Sequence, residues 1–181
     1  MINHLESERV ILQEIEKKDW RDIHKYASQP IVCQYQPWGP NTEKESKDFV
    51  EQILGDGKTN PRSRFVFAVI QKIDGRMIGS GELNLRDLSN QVGEIAYITN
   101  PDHWGKGFAT EVAKILIEFG FNEFNLHRIY ATCDPRNVGS IRVLEKIGMI
   151  KEGRIREDLL IKDGWRDSLL YSILEQEWNA K

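Results

Sequence analysis

The chain has only two cysteines, Cys33 and Cys133, a hundred residues apart. Its N-terminus carries no basic and apolar run resembling a secretory signal, and a reducing cytoplasm is the location that fits both absences. No run of about 18 consecutive apolar residues occurs, so neither a membrane span nor a membrane partner is expected. The four histidines, His4, His24, His103 and His127, stand at no ligand spacing relative to one another or to the cysteines, and no metal is expected. A basic excess is missing too. The formal net charge of -3 argues against a general nucleic-acid binder, because such domains carry marked positive charge.

What is present is ordinary in bulk: 40% apolar and 29% charged residues describe a globular chain rather than a disordered or fibrous one. At 181 residues it can bury a sizeable core, and no repeat, low-complexity tract or linker divides it. One domain over residues 1–181 is the expectation.

Hydrophobic periodicity then orders the elements. Residues 9–14 alternate as a strand, and a helical pattern begins at Asp19 with Trp20, Ile23, His24 and Ala27. After the proline- and glycine-rich break "CQYQPWGPNTEKE", Thr42 with Glu45 three residues on forms a capping-box signature. It predicts a helix over 43–54 with Phe49, Val50, Ile53 and Leu54 on its buried side. Residues 65–70 and 77–85 read as a hairpin around Asp74-Gly75, and 92–99 as a further strand. Residues 108–121 repeat as a helix packed on a sheet, with apolar positions at 108, 112, 115, 116 and 119. "RIYATCD" is a short strand, 138–147 a helix ended by Gly148, and 149–161 with 167–174 a last strand pair around Asp163-Gly164. The order predicts an α/β (α+β) fold: a mixed, mostly antiparallel sheet of about seven strands flanked by helices, with one strand-helix-strand unit in its middle.

"HWGKGFATE", at 103–111, lies where that unit turns from strand into helix. A helix N-terminus offers unpartnered NH groups and partial positive charge, which suit a phosphate, and glycines let an anion approach the backbone. A Walker loop would need Gly at 100 and Ser or Thr at 107, where the chain has Asn100 and Gly107. A dinucleotide fingerprint from Gly105 would need Gly or Ala at 110 and an acid about 20 residues later, where the chain has Thr110 and then His127, Arg128 and Ile129. Two possibilities remain at this level: a pyrophosphate held by backbone NH groups, or a tight turn without a ligand.

"GEIAYITNPDHWGKGFATEVAKILIEFGF" followed by "HRIYATCDPRNVGSIRVLEKIGMIKEG" resembles the acetyl-CoA-binding core of the GNAT N-acetyltransferases, specifically the RimJ/RimL branch. The likeness covers about residues 8–175, and the specific part is the glycine turn joined to "NxxSxxVLEKxG" about thirty residues later. It implies acetyl-CoA as co-substrate, with its pyrophosphate on the turn. Trp104 departs from the Gln or Arg of the general pattern, which moves the phosphate role onto the backbone NH groups of Gly105, Lys106, Gly107, Phe108, Ala109 and Thr110. It also implies that the strand ending near Ile98 splays from that at 129–133, so that pantetheine pairs with the backbone of Tyr97, Ile98 and Thr99.

Asn137 precedes an apolar helical pattern, so its simplest role is an N-cap; the resemblance adds a hydrogen bond from its spare NH2 to the cofactor. Ser140, in the first turn of that helix, is implied to stabilise or protonate the departing thiolate. The base that takes the amine's proton is expected to be Glu94, directly or through water, with an ion-paired strand-face carboxylate as the alternative. Glu157 and Asp158 lie just before the position where some relatives carry a base, which the resemblance matches to Leu159. Tyr97 and Tyr171 read first as core residues with bonded hydroxyls, and Cys133 as a buried small apolar group, so direct transfer is expected. On the acceptor side, Tyr35 and Trp38 lie on an early loop suited to an amine substrate, although Trp38 would equally cover core, while Glu82 and Asp87 would attract a cation. The expected activity is an acetyl-CoA-dependent N-acetyltransferase acting on a protein N-terminal, ribosomal-protein-like α-amine, in a monomer or homodimer. A small amine or aminoglycoside acetyltransferase, a non-catalytic acetyl-CoA-binding module and a partner-binding protein with an empty turn are the rival expectations.

Overall fold

The structure is a computed structural model that describes residues 5–180. Seven strands form one sheet: β1 (Val10–Glu14), β2 (Arg64–Gln71), β3 (Met77–Asp87), β4 (Val92–Thr99), β5 (Arg128–Cys133), β6 (Ile150–Ile161) and β7 (Gly164–Leu174), in the order β1-β2-β3-β4-β5-β7-β6. Every neighbouring pair is antiparallel except β4 and β5. That parallel pair requires a crossover, which the helix α4 (Phe108–Phe124) provides, as the mixed, mostly antiparallel pattern predicts.

Both faces of the sheet are covered. Phe65, Phe67 and Val69 of β2 join α4 in one apolar core, while Val66 and Ala68, pointing the other way, join a second. The second lies under the helices α1 (Trp20–Ala27), α2 (Pro30–Cys33) and α3 (Glu43–Asp56). Coverage on both sides is why β2 reads as an almost unbroken apolar run. The helix α5 (Val138–Lys146) sends Leu144 into the α4 core. A Cβ on Gly81 would stand 2.9 Å from Val112 Cγ1, so glycine there permits the close approach of α4 to β3.

Thr42 caps α3 with the expected reciprocal box, accepting from the Glu45 amide at 3.2 Å while Glu45 Oε2 accepts from the Thr42 amide at 2.7 Å. The buried side of α3 differs in part from expectation. Val50 and Ile53 are buried, but Phe49 and Leu54 only partly, and Ser46 is fully buried because its Oγ pairs with His24 Nδ1 at 3.0 Å. Also unexpected are α2, a terminal helix α6 (Glu175–Asn179) and 3-10 turns at Lys17–Asp19 and Pro101–His103, all too short to show a period. β7 starts at Gly164 rather than 167 because the hairpin ladder with β6 continues to Ile161 opposite Gly164. Among the described residues, no helix is long and apolar enough to cross a membrane.

The feature that positions the site is a break in the sheet. β4 and β5 pair only at Val92 with Arg128, Gly93 with Ile129 and Glu94 with Tyr130. Beyond that each strand follows its own antiparallel neighbour, β4 staying with β3 to Thr99 and β5 with β7 to Cys133. The C-terminal halves of the two central strands therefore have no ladder between them beyond Glu94, in line with the splay expected between the strand ending near Ile98 and that at 129–133. Because the two strands are parallel, the N-termini of α4 and α5 both follow from this end of the gap.

Candidate active site

The turn after β4 is built from the inside. Asn100 Oδ1 accepts from the Asp102 amide at 3.1 Å, the Trp104 indole Nε1 donates to the Thr99 carbonyl at 2.8 Å, and Lys106 Nζ donates to the Asp102 carbonyl at 2.7 Å. Gly105 at φ +72° and Gly107 at φ +86° take left-handed conformations, after which α4 begins. The turn is then clamped from outside by Arg9. Its Nη2 donates to the Lys106 carbonyl at 3.0 Å, its guanidinium lies 4.5 Å from the Phe108 ring centre, and its Nε donates to Glu111 Oε1 at 2.6 Å. Burial alone would raise the Glu111 carboxyl, but hydrogen bonds from Ser7 and Arg9 and the Arg9 charge outweigh it and hold the group below the usual carboxylate range. Arg9 thus neutralises the one acid in the first turn of α4, leaving the positive end of the helix uncompensated.

Among the described residues, the amides of Gly105, Lys106, Gly107, Phe108 and Ala109 have no acceptor in the chain. Thr110 does not belong with them, since its amide already bonds the Gly107 carbonyl at 3.1 Å. The expected seat of amides 105–110 therefore ends at Ala109. Phe108 has only its backbone to offer, its side chain being buried in the core. The Thr99 carbonyl already accepts one hydrogen bond, from the Trp104 indole. Trp104 itself stays half exposed beside the turn.

Across the gap, Asn137 Oδ1 accepts from the Ser140 amide at 3.0 Å, which is the N-cap of α5; among the described residues its Nδ2 has no partner. The turn before it is organised by Asp134, a buried carboxylate that accepts from the Arg136 amide, Nε and Nη2 at 2.8, 3.0 and 2.8 Å. Burial opposes its ionisation, yet these hydrogen bonds and the Arg136 and Arg166 charges keep it below the usual range. The Tyr97 hydroxyl reaches Ser140 Oγ at 3.1 Å, joining β4 to α5. Burial pushes the Tyr97 phenol well above its ordinary value and the Cys133 thiol up to about 11, so both are neutral near pH 7. Ile98 points to the opposite face, against the second core.

That opposite face holds the carboxylates. Asn84 is registered with Glu94 and Glu82 with Ala96, so Glu82 and Glu94 share one side of the sheet. Glu94 receives Arg86 Nε at 2.6 Å and Nη2 at 2.5 Å, both on Oε2, which leaves Oε1 without a partner among the described residues. Glu82 is bound by Arg64 through two bonds of 2.8 and 3.2 Å and by Asn84 at 2.8 Å. Its expected pull on a substrate cation is already answered by Arg64. Asp87 accepts from Ser89 and Asn90 in the β3–β4 turn, which pushes its carboxyl down to about 2, and so it closes a turn instead of facing a substrate.

Tyr35 is brought to the α5 end of the gap, its hydroxyl donating to the Arg136 carbonyl at 3.4 Å and its ring 5.4 Å from the Arg136 guanidinium. Trp38 is partly buried against the second core, the alternative left open by the sequence. Tyr171 is buried on the α5 side, donating to Glu145 at 3.3 Å, and Glu157 sits in a β6 bulge with its amide on Asp167. Sequence reasoning missed the arginines Arg9, Arg64, Arg86 and Arg136. Each partner pair except Arg136 with Asp134 joins strands or helices whose register had to be known first. Arg136, two residues from Asp134 and one before Asn137, was the one open to discovery.

Comparison with known proteins bears on this geometry. Residues 9–150 match the acetyltransferase (GNAT) domain family. The chain is 38% identical over 176 residues to the uncharacterized N-acetyltransferase YnaD of Bacillus subtilis, covering 97% of this chain and 99% of that protein. It is 28% identical to the spermidine N(1)-acetyltransferase of Escherichia coli, over 95% of this chain and 89% of that one. Among solved structures, a GNAT-family acetyltransferase from Bacillus anthracis superposes with a TM-score of 0.84 at 34% identity, covering 96% and 99% of the two chains. The ribosomal-protein-S5-alanine acetyltransferase from Vibrio fischeri does so with a TM-score of 0.79 at 28% identity, covering 96% and 97%. With a domain match over most of its length and a YnaD alignment running nearly end to end, the chain belongs to the GNAT acetyltransferase family and is an N-acetyltransferase.

Proposed function

We propose that this chain transfers acetyl from acetyl-CoA directly to a primary amine, and that its preferred acceptor is a protein N-terminal α-amine. The observation that carries the reading is the row of unpartnered amides from Gly105 to Ala109, placed at the end of β4 where the gap to β5 is open. Those amides suit the diphosphate of the carrier, and the unpaired edge beside Tyr97 and Ile98 suits the amide groups of its pantetheine arm. Ser140 faces the sulfur from the α5 side. The neutral amine attacks the thioester carbon, the C–N bond forms, the C–S bond breaks and its electron pair leaves with sulfur. The proton lost by nitrogen balances the proton gained by the thiol. Glu94 Oε1, directly or through water, receives the amine's proton. Cys133, held as a thiol, takes no part, so no acetyl-cysteine forms.

Two arguments favour the α-amine. With a pKa of about 7.7 it is partly neutral near pH 7, whereas a lysine-like amine near 10.4 costs more than about 4 kcal/mol to deprotonate and asks for a stronger base. A polycation also needs a row of uncompensated carboxylates, whereas Glu82 and Glu94 on the cleft face carry resident arginines. The ribosomal-protein-S5-alanine acetyltransferase among the relatives supports a protein acceptor, while the spermidine acetyltransferase stands for the rival class.

A thiol-release assay with peptides of free N-terminal Ala or Ser, spermidine, aminoglycosides and amino acids tests the reading. A kcat/KM at least about tenfold higher for peptides is expected, roughly 1.4 kcal/mol of discrimination. A preference for spermidine or an aminoglycoside overturns the acceptor assignment. Absence of binding heat with millimolar acetyl-CoA overturns the whole proposal.

A further inference from the structure

We propose that Tyr97 is a positioning residue for Ser140: its phenol donates to Ser140 Oγ and thereby turns the serine's own hydrogen into the gap, toward the departing sulfur. The inference rests on the acetyl-transfer reading above and assigns the Tyr97 side chain a task distinct from that of its backbone.

The geometry limits the alternatives. Tyr97 lies on the β4 edge just past Glu94, the last residue laddered to β5, and its ring packs against the α4 core. The one partner of its hydroxyl among the described residues is Ser140 Oγ, 3.1 Å away. Ser140 is itself fixed by Asn137, which accepts from its amide and locks the first turn of α5. Two hydroxyls that face each other leave one hydrogen free. If serine donated, the phenolic hydrogen would be left without an acceptor on the partly buried β4 edge, which costs more than leaving the serine hydrogen beside an open gap. Burial keeps the phenol protonated, so it donates a hydrogen bond and never surrenders the proton.

The chemical consequence follows from cooperativity. A hydroxyl that accepts one hydrogen bond donates a stronger one. As the C–S bond breaks, charge collects on sulfur, and the Ser140 hydrogen meets it with the phenol behind. The CoA thiol formed at the end carries the proton that the amine released, so no net proton leaves Tyr97 or Ser140.

The test is a double-mutant cycle on the full chain with Tyr97→Phe, Ser140→Ala and the pair, read as kcat, KM for acetyl-CoA and calorimetric Kd for CoA. Tyr97→Phe should lower kcat about tenfold with KM and Kd within about twofold, and the double variant should be no slower than Ser140→Ala alone, because the phenol acts only through the serine. Losses that multiply, a Kd that weakens in step with kcat, or a Ser140→Ala enzyme as fast as the parent would each overturn the assignment while leaving acetyl transfer intact. A parent that releases no thiol with any amine overturns the proposed function instead. Should Tyr97→Phe fail to fold, 3-fluorotyrosine placed at 97 keeps the ring and sharpens the donor. A higher kcat supports the proposal, and an unchanged or lower one refutes it.

Discussion

Arg9 Nη2 lies 3.2 Å from where a Cβ on Gly107 would stand, and the same nitrogen holds the Lys106 carbonyl at 3.0 Å. The segment before β1 therefore fixes the shape of the turn that opens α4. Gly107→Ala meets two costs at once: a left-handed φ of +86° that an L side chain adopts at about 1–2 kcal/mol, and a methyl group pressed on the arginine that clamps the turn. The expected outcome is a melting temperature lowered by a few degrees together with CoA affinity weakened at least about tenfold, read by calorimetry. Equal affinity with lowered stability would separate the turn from ligand binding.

Asp134 predicts the acid limb of stability. Its folded pKa is lower than the unfolded value of about 3.9, so its contribution is complete above that value and is lost as pH falls through the lower folded one. Glu111 adds in the same direction. Asp134→Asn should destabilise the protein at pH 7 by about 1–3 kcal/mol, since the Arg136 and Arg166 charges lose their partner, and should flatten the loss of stability below about pH 4. Urea unfolding at a series of pH values reads both effects. An unchanged slope would mean that other carboxylates dominate.

How far the sequence carried differs between backbone and side chains. The bounds of β4, the capping box at Thr42, the N-cap at Asn137 and the glycine turn around Lys106 were all readable, because each depends on residues close together in the chain. The contacts that finish the site do not. Arg9 reaches Lys106 across 97 positions and Tyr97 reaches Ser140 across 43, so only the packed fold brings them together. Glu94 and Arg86 are eight positions apart, yet their pairing follows from a β3–β4 register shifted by an irregularity between Leu85 and Asp87. The Thr110 amide was lost to the seat for a local reason that the pattern hid: the first turn of α4 closes on the Gly107 carbonyl.

Thr42→Ala provides a control that touches stability alone. The hydroxyl accepts from the Glu45 amide and donates to the Glu45 carboxylate, so its loss leaves the first turn of α3 open and costs about 1 kcal/mol. Expected are a melting temperature lower by a few degrees and unchanged kcat and KM at a temperature where both proteins are folded. A change in kcat would tie α3 to the acceptor side of the sheet.

Cys133→Ala asks whether acetyl ever rests on the protein. The thiol sits at the end of β5 beside the gap, near enough to raise the question, but it is buried among apolar side chains and its pKa is pushed up to about 11. At pH 7 about one molecule in ten thousand would carry the nucleophilic thiolate, too few to compete with a neutral amine at the same carbonyl. Turnover in Cys133→Ala should thus stay within about threefold of the parent, and initial-rate patterns with amine and acetyl-CoA should intersect, as in a ternary complex, instead of running parallel as in a ping-pong scheme. Parallel lines in the parent, together with acetyl trapped on Cys133 by acid quench and mass spectrometry, would replace direct attack with a two-step route. Ser140 would then serve thiolate departure in the first step alone.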